Sequence, residues 1–176
     1  ESEIKLLIEE YQRIKAIIDC IDGKISKIVE LVPGAENLLE IKGIGVRTVA
    51  GFFAEVGDVT RFTHPKQIIK LAGFNLRENS SGRHKGQTTI SKRGRSRLRA
   101  VLFRSMLPLI ATNAEFKHLH KYYITRTENP LKKKQSIIAL CGKLIRIIYT
   151  LVIKNSKYDP KRVLGDIRRD GMTMVA

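Results

Sequence analysis

The sequence predicts a mainly α-helical protein. An N-terminal coiled-coil helix (or helical hairpin) is followed by a compact helical domain containing a helix-hairpin-helix-like element and a basic loop. Three observations carry this expectation. Ile4, Leu7, Tyr11, Ile14, Ile18, Ile21, Ile25, Ile28 and Val32 recur at alternating steps of three and four, the a/d seam of a heptad. Ile137, Leu140, Cys141, Leu144, Ile148 and Leu151 keep helical spacing near the other end of the chain, as a core helix does. Between them, residues 75–90 are polar, basic and glycine-containing, which reads as a loop with a short hairpin.

The elements follow in order. The heptad segment covers residues 1–33 and stops at Pro33-Gly34, with Gly23 a weak point where a bend is expected. The helical domain covers 34–158. Two short helices over 36–58 flank Gly43-Ile44-Gly45, and a further turn or two over 65–72 has Pro65 near its start and Gly73 at its end. A helix is expected from about Ser91, capped by Ser91, to Asn113, with Leu98, Val101, Leu102, Ser105 and Leu109 inward. Helices over roughly 115–127 and 131–155 complete the domain. Residues 159–176, with Pro160, Gly165 and Gly171, read as a peripheral tail.

Charge narrows the function. The 176 residues include 33 Lys+Arg against 17 Asp+Glu, a net +16, with a pI near 10.1. A polyanionic partner is the plainest reason for such a field, because each neutralised phosphate releases counterions. No apolar run reaches the roughly 18 residues of a membrane span and no signal peptide opens the chain, so no membrane partner is expected. Cys20 and Cys141 stand far apart in helix-like apolar surroundings and read as small core residues of a reducing compartment. No metal-ligand spacing is present, and the segment itself is expected to bind no cofactor. The chain opens on Glu1, as a piece of a longer protein would.

Two features carry chemistry. In the Gly43-Ile44-Gly45 turn the glycines allow close backbone approach to a phosphate. The amides that open the next helix can donate to an anion, with Arg47 and Thr48 beside them. A plain inter-helix turn around a buried Ile44 is the alternative. The second feature is the basic stretch. Arg77, Arg83, Lys85, Lys92, Arg93, Arg95, Arg97, Arg99 and Arg104 face the single acid Glu78, a net +8 in 28 residues. On a helix, Arg93, Arg97 and Arg104 fall along one stripe, and Arg95 and Arg99 along a second. Guanidinium groups bind phosphate bidentately, whereas a merely soluble face mixes charge signs.

Ile41-Lys-Gly-Ile-Gly, Leu71-Ala-Gly-Phe, Ser81-Gly82, Ile90-Ser-Lys-Arg-Gly and Leu98-Arg99 occur in that order. The pattern resembles the C-terminal domain of the DEDD-type insertion-sequence transposases, the family of pilin-gene inverting recombinases and bridge-RNA-guided recombinases. The resemblance runs from about residue 36 to Tyr158, and the heptad segment is similar to the coiled coil that precedes the domain in that family. It implies that Ser81 is a nucleophile attacking a DNA phosphodiester, with neighbouring Ser80 the choice in a shifted register. His84 is the one candidate base nearby. Four acidic residues and Mg²⁺ would come from a RuvC-like N-terminal domain that this segment lacks, so the segment alone is expected to be inactive. DNA is the implied partner, with a guide RNA in some members, self-association through the coiled coil, and a cytoplasmic, nucleoid-associated place in a bacterium or archaeon. The rival reading is a non-catalytic helix-hairpin-helix module that only binds nucleic acid.

Overall fold

The computed structural model describes residues 2–77, 80–81, 84–85, 88–165 and 167. The chain is mainly helical, as the periodicities require. Helix α1 (Ser2–Glu30) leads through Pro33-Gly34 into α2 (Ala35–Leu39), α3 (Val46–Val56) and α4 (Pro65–Leu71). Four two-residue strands follow: β1 (Leu76–Arg77), β2 (Ser80–Ser81), β3 (His84–Lys85) and β4 (Thr89–Ile90). Helices α5 (Ser96–Thr112), α6 (Ala114–Thr125), α7 (Lys133–Lys154) and α8 (Pro160–Val163) complete the described chain.

Helix α7 is the spine of the core. Its Leu140, Cys141, Leu144, Ile145, Ile148 and Leu151 are buried, and α2, α4, α5 and α6 all pack on it. From α5, Leu98, Leu102, Met106 and Leu109 turn inward at steps of three and four. They meet Phe52 of α3 and Phe116 and Leu119 of α6 in one continuous cluster, and burying such side chains supplies the main stabilisation. The short α5–α6 link works through Asn113, which is buried and whose Oδ1 accepts from Phe116 N at 3.1 Å. Asn113→Ala is expected to cost about 1–2 kcal/mol, measured as a lower urea midpoint at unchanged m.

Several expectations need correcting. Helix α1 is one continuous helix through Gly23, so of the two expected forms it is the helix and not the helical hairpin. Only its C-terminal end packs on the domain, with Val29 buried and Ile25 against the core. The seam residues Ile4, Leu7, Tyr11, Ile14, Ile18, Ile21 and Ile28 are exposed in the single chain. Cys20 is exposed too, because it rides on this projecting helix, whereas Cys141 is buried and its thiol is pushed up to about 12 by desolvation. Helix α7 is long and apolar enough to cross a membrane by length and composition. Lys143 and Arg146 interrupt its apolar run without lowering the average enough, and the helix serves as the core of the bundle. At the start of the tail, Val163 in α8 is buried.

Candidate nucleic-acid interface

The Gly43-Ile44-Gly45 turn forms between α2 and α3, with Ile44 buried. Its two glycines do different work. Gly43 has φ +99, and a Cβ there would lie 2.6 Å from Thr112 Oγ1 and 2.9 Å from Leu109 Cα. Its lack of a side chain lets the turn close on the end of α5. Gly45 is extended, exposed and open on its side-chain side, and it is the N-cap of α3 with no side chain capping the helix. Thr48, half-buried, sends its amide back to Gly45 O at 2.9 Å.

Arg47, in the first turn of α3, reaches Asp22 of α1. Its Nε donates to Asp22 Oδ1 at 2.8 Å and its Nη2 donates to Oδ2. This hydrogen-bonded pairing holds the Asp22 carboxyl below its ordinary range, while the Arg47 side chain remains 70% exposed. The pair therefore stays ionised through neutral pH and opens only as pH falls through the depressed carboxylate pKa.

The segment after α4 is built as a clasp. Lys92 N donates to Gly73 O at 3.0 Å, Ser91 N to Asn75 O at 2.7 Å, and Arg95 N to Leu71 O at 2.7 Å. Two of the motifs, Leu71-Ala-Gly and Ser91-Lys-Arg-Gly, are thus the two sides of one contact. Fitting them together requires unusual backbone: Lys92 has φ 53 and Gly94 φ 150. For that reason α5 begins at Ser96 rather than near Ser91. Ser91 does not cap the helix; its Oγ donates to Gly73 O at 3.4 Å.

From this base an antiparallel hairpin projects. Leu76 pairs with Ile90 and Arg77 with Thr89; further out, Ser80 pairs with Lys85 and Ser81 with His84. Ser80, Ser81, His84 and Lys85 are described by backbone and register alone, and Arg83 lies outside the described residues.

The cations divide into two groups. Arg95 sits at the N-cap position of α5, where its Nη1 donates to Glu55 O and lies 3.9 Å from Glu55 Oε2. Arg99 donates to Ala72 O at 3.0 Å and Lys92 O at 3.4 Å. Both guanidiniums are held by the protein's own oxygens. Lys92, Arg93, Arg97 and Arg104 are exposed. Arg93 lies in the clasp turn, so the expected helical stripe reduces to Arg97 and Arg104, two turns apart on α5. Sequence reading missed the carbonyl partners of Arg95 and Arg99. For Arg99 the one local signal was Gly73, which follows the end of α4, where a cation is favoured.

These parts define a class: a mainly helical domain built around a clasped, serine-bearing hairpin with a basic flank. The chain belongs to the Transposase IS116/IS110/IS902 family, whose family model matches residues 35–123, from α2 to near the end of α6. Among curated relatives, it is 29% identical over 147 residues to a pilin gene-inverting protein of Moraxella bovis, covering 80% of this chain and 45% of that protein. It is 26% identical over 162 residues to a probable family 20 transposase of Pseudomonas aeruginosa, covering 89% and 46% respectively. It is also 26% identical over 156 residues to the transposase for insertion sequence element IS1111A of Coxiella burnetii, covering 87% and 42%. The chain thus spans less than half the length of each of these relatives.

Proposed function

We propose that this chain is the DNA-binding, serine-supplying part of a transposase or site-specific recombinase. The observation that carries this reading is the clasped hairpin: Ser80-Ser81 pair beyond the clasp that joins Leu71–Asn75 to Ser91–Arg95, and Lys92, Arg93 and Arg97 are exposed at that clasp and the start of α5. In the proposed step, Ser81 Oγ attacks a backbone phosphorus. An Oγ–P bond forms as a P–O bond to a sugar oxygen breaks, and the hydroxyl proton passes to a base and then to the leaving oxygen. His84, opposite Ser81 in the hairpin register, is the nearest candidate for that base. Exposed guanidiniums nearby would stabilise charge on the attacked phosphate.

The family's chemistry also implies Mg²⁺. Among the described residues no three His, Cys, Asp or Glu side chains come together as a metal site. The donor set among the described residues does not fit the ion; in this reading its ligands belong to an acidic domain outside this segment. The exposed seam of α1 is proposed to pair with a second copy of the chain. In the family context a guide RNA is a further ligand for the same basic surface, and activity on DNA implies a nucleoid location.

The test is Ser81→Ala in a cleavage-competent protein containing this chain: cleavage should be lost and binding kept. Retained cleavage would favour the rival, a binding-only helix-hairpin-helix module. The uncapped start of α3 at Gly45 is the observation on that side, and it makes its own prediction. Asp22→Asn should release Arg47 toward a phosphate at this helix start and raise affinity for a short duplex by about two- to threefold. Fluorescence anisotropy would measure it, and unchanged affinity would remove Arg47 from the interface.

A further inference from the structure

The bonds of Arg99 bridge the two limbs of the hairpin. Ala72 O precedes the outgoing limb and Lys92 O follows the returning one, and a single nitrogen, Nη1, donates to both. Gly73 lies directly under this nitrogen: a Cβ there would be 2.9 Å from it. The guanidinium also sits at the C-terminal end of α4, where the helix dipole favours a cation. Beside it, Lys92 is held at φ 53, a conformation that persists in a non-glycine residue only when its surroundings impose it. The flanking Lys92 N–Gly73 O and Arg95 N–Leu71 O bonds supply part of that constraint.

We propose that Arg99 is a positioning residue that locks the base of the Ser80-Ser81 hairpin, and that it does not contact nucleic acid. The phosphate contacts then fall to its exposed neighbours, Arg97 foremost. A guanidinium suits the bridge because its N–H groups are fixed in one plane and its charge is permanent. The catalytic side of this inference rests on the proposed function. The bridge itself does not, so the two can fail separately.

The test compares Arg99→Met with Arg97→Met, two substitutions that remove the same charge two residues apart. Arg99→Met in the 176-residue chain should leave the slope of log affinity against log salt unchanged for a short DNA duplex. Amide exchange at Leu76, Arg77, Thr89 and Ile90 should rise by about tenfold or more as the hairpin base opens. Arg97→Met should do the reverse, reducing the slope by about 0.9 for one lost phosphate contact and leaving exchange alone. Where Arg99→Met fails to fold, Arg99→Lys carries both readouts: the charge stays, the planar fork goes, and faster hairpin exchange at an unchanged slope is again expected. A reduced slope with wild-type exchange in the Arg99 variant would overturn the proposal. Retained cleavage by Ser81→Ala would overturn only the catalytic reading and leave the bridge standing.

Discussion

Ser81→Ala should abolish DNA strand cleavage, by about 10⁴-fold or more, while duplex affinity stays within about twofold. The two effects separate because they come from different groups. Affinity arises from charges that displace counterions, and a neutral serine contributes little to that sum. Cleavage by covalent catalysis has no substitute for its nucleophile, since an alanine cannot form the Oγ–P bond. Ser80→Ala is the matched control. It changes the adjacent residue of the same strand, paired with Lys85 rather than His84, and should leave cleavage within about tenfold of wild type. Exchanged behaviour of the two variants would move the nucleophile to Ser80.

Gly94→Ala should destabilise the fold by about 3 kcal/mol or more. An added Cβ would lie 2.3 Å from Leu71 O and 2.8 Å from Gly73 N, both backbone atoms with no side-chain freedom, at a φ of +150. The only relief is to part α4 from the Ser91–Arg95 turn, which breaks the hydrogen bonds that hold the hairpin base. Gly23→Ala is the opposite case. Gly23 lies in the interior of α1 with nothing within 4 Å of its added Cβ, so the change should stabilise that helix by about 0.5–1 kcal/mol. Urea denaturation followed by circular dichroism reads both signs.

Much of the fold was legible because helices announce themselves through local periodicity. The spacing of Leu140, Cys141, Leu144 and Leu151 marked the buried face of α7, and Pro65 and Gly73 bracketed α4 closely. What escaped depends on contacts distant in sequence. Ser91 as a capping serine suggested an early start for α5, but the Leu71 and Gly73 carbonyls hold Ser91–Arg95 in a turn. Cys20 has apolar neighbours along the chain, yet the helix carrying it projects from the domain. Counting charges located the basic stretch without distinguishing Arg99, committed to two carbonyls, from exposed Arg97. Likewise nothing in the local pattern paired Arg47 with Asp22, 25 residues away. Ser81 was singled out by the order of its surrounding motifs. The clasp explains in part why they keep company, since two of them are the halves of one packed joint.

The most direct measurement traps the reaction between a cleavage-competent protein containing this chain and its DNA substrate. Mass spectrometry of the digested adduct then identifies the residue that carries the phosphate. The account predicts a nucleotide covalently attached through oxygen to Ser81, absent in Ser81→Ala. An adduct on any other residue, or complete strand cleavage with Ser81 unmodified throughout, would contradict it.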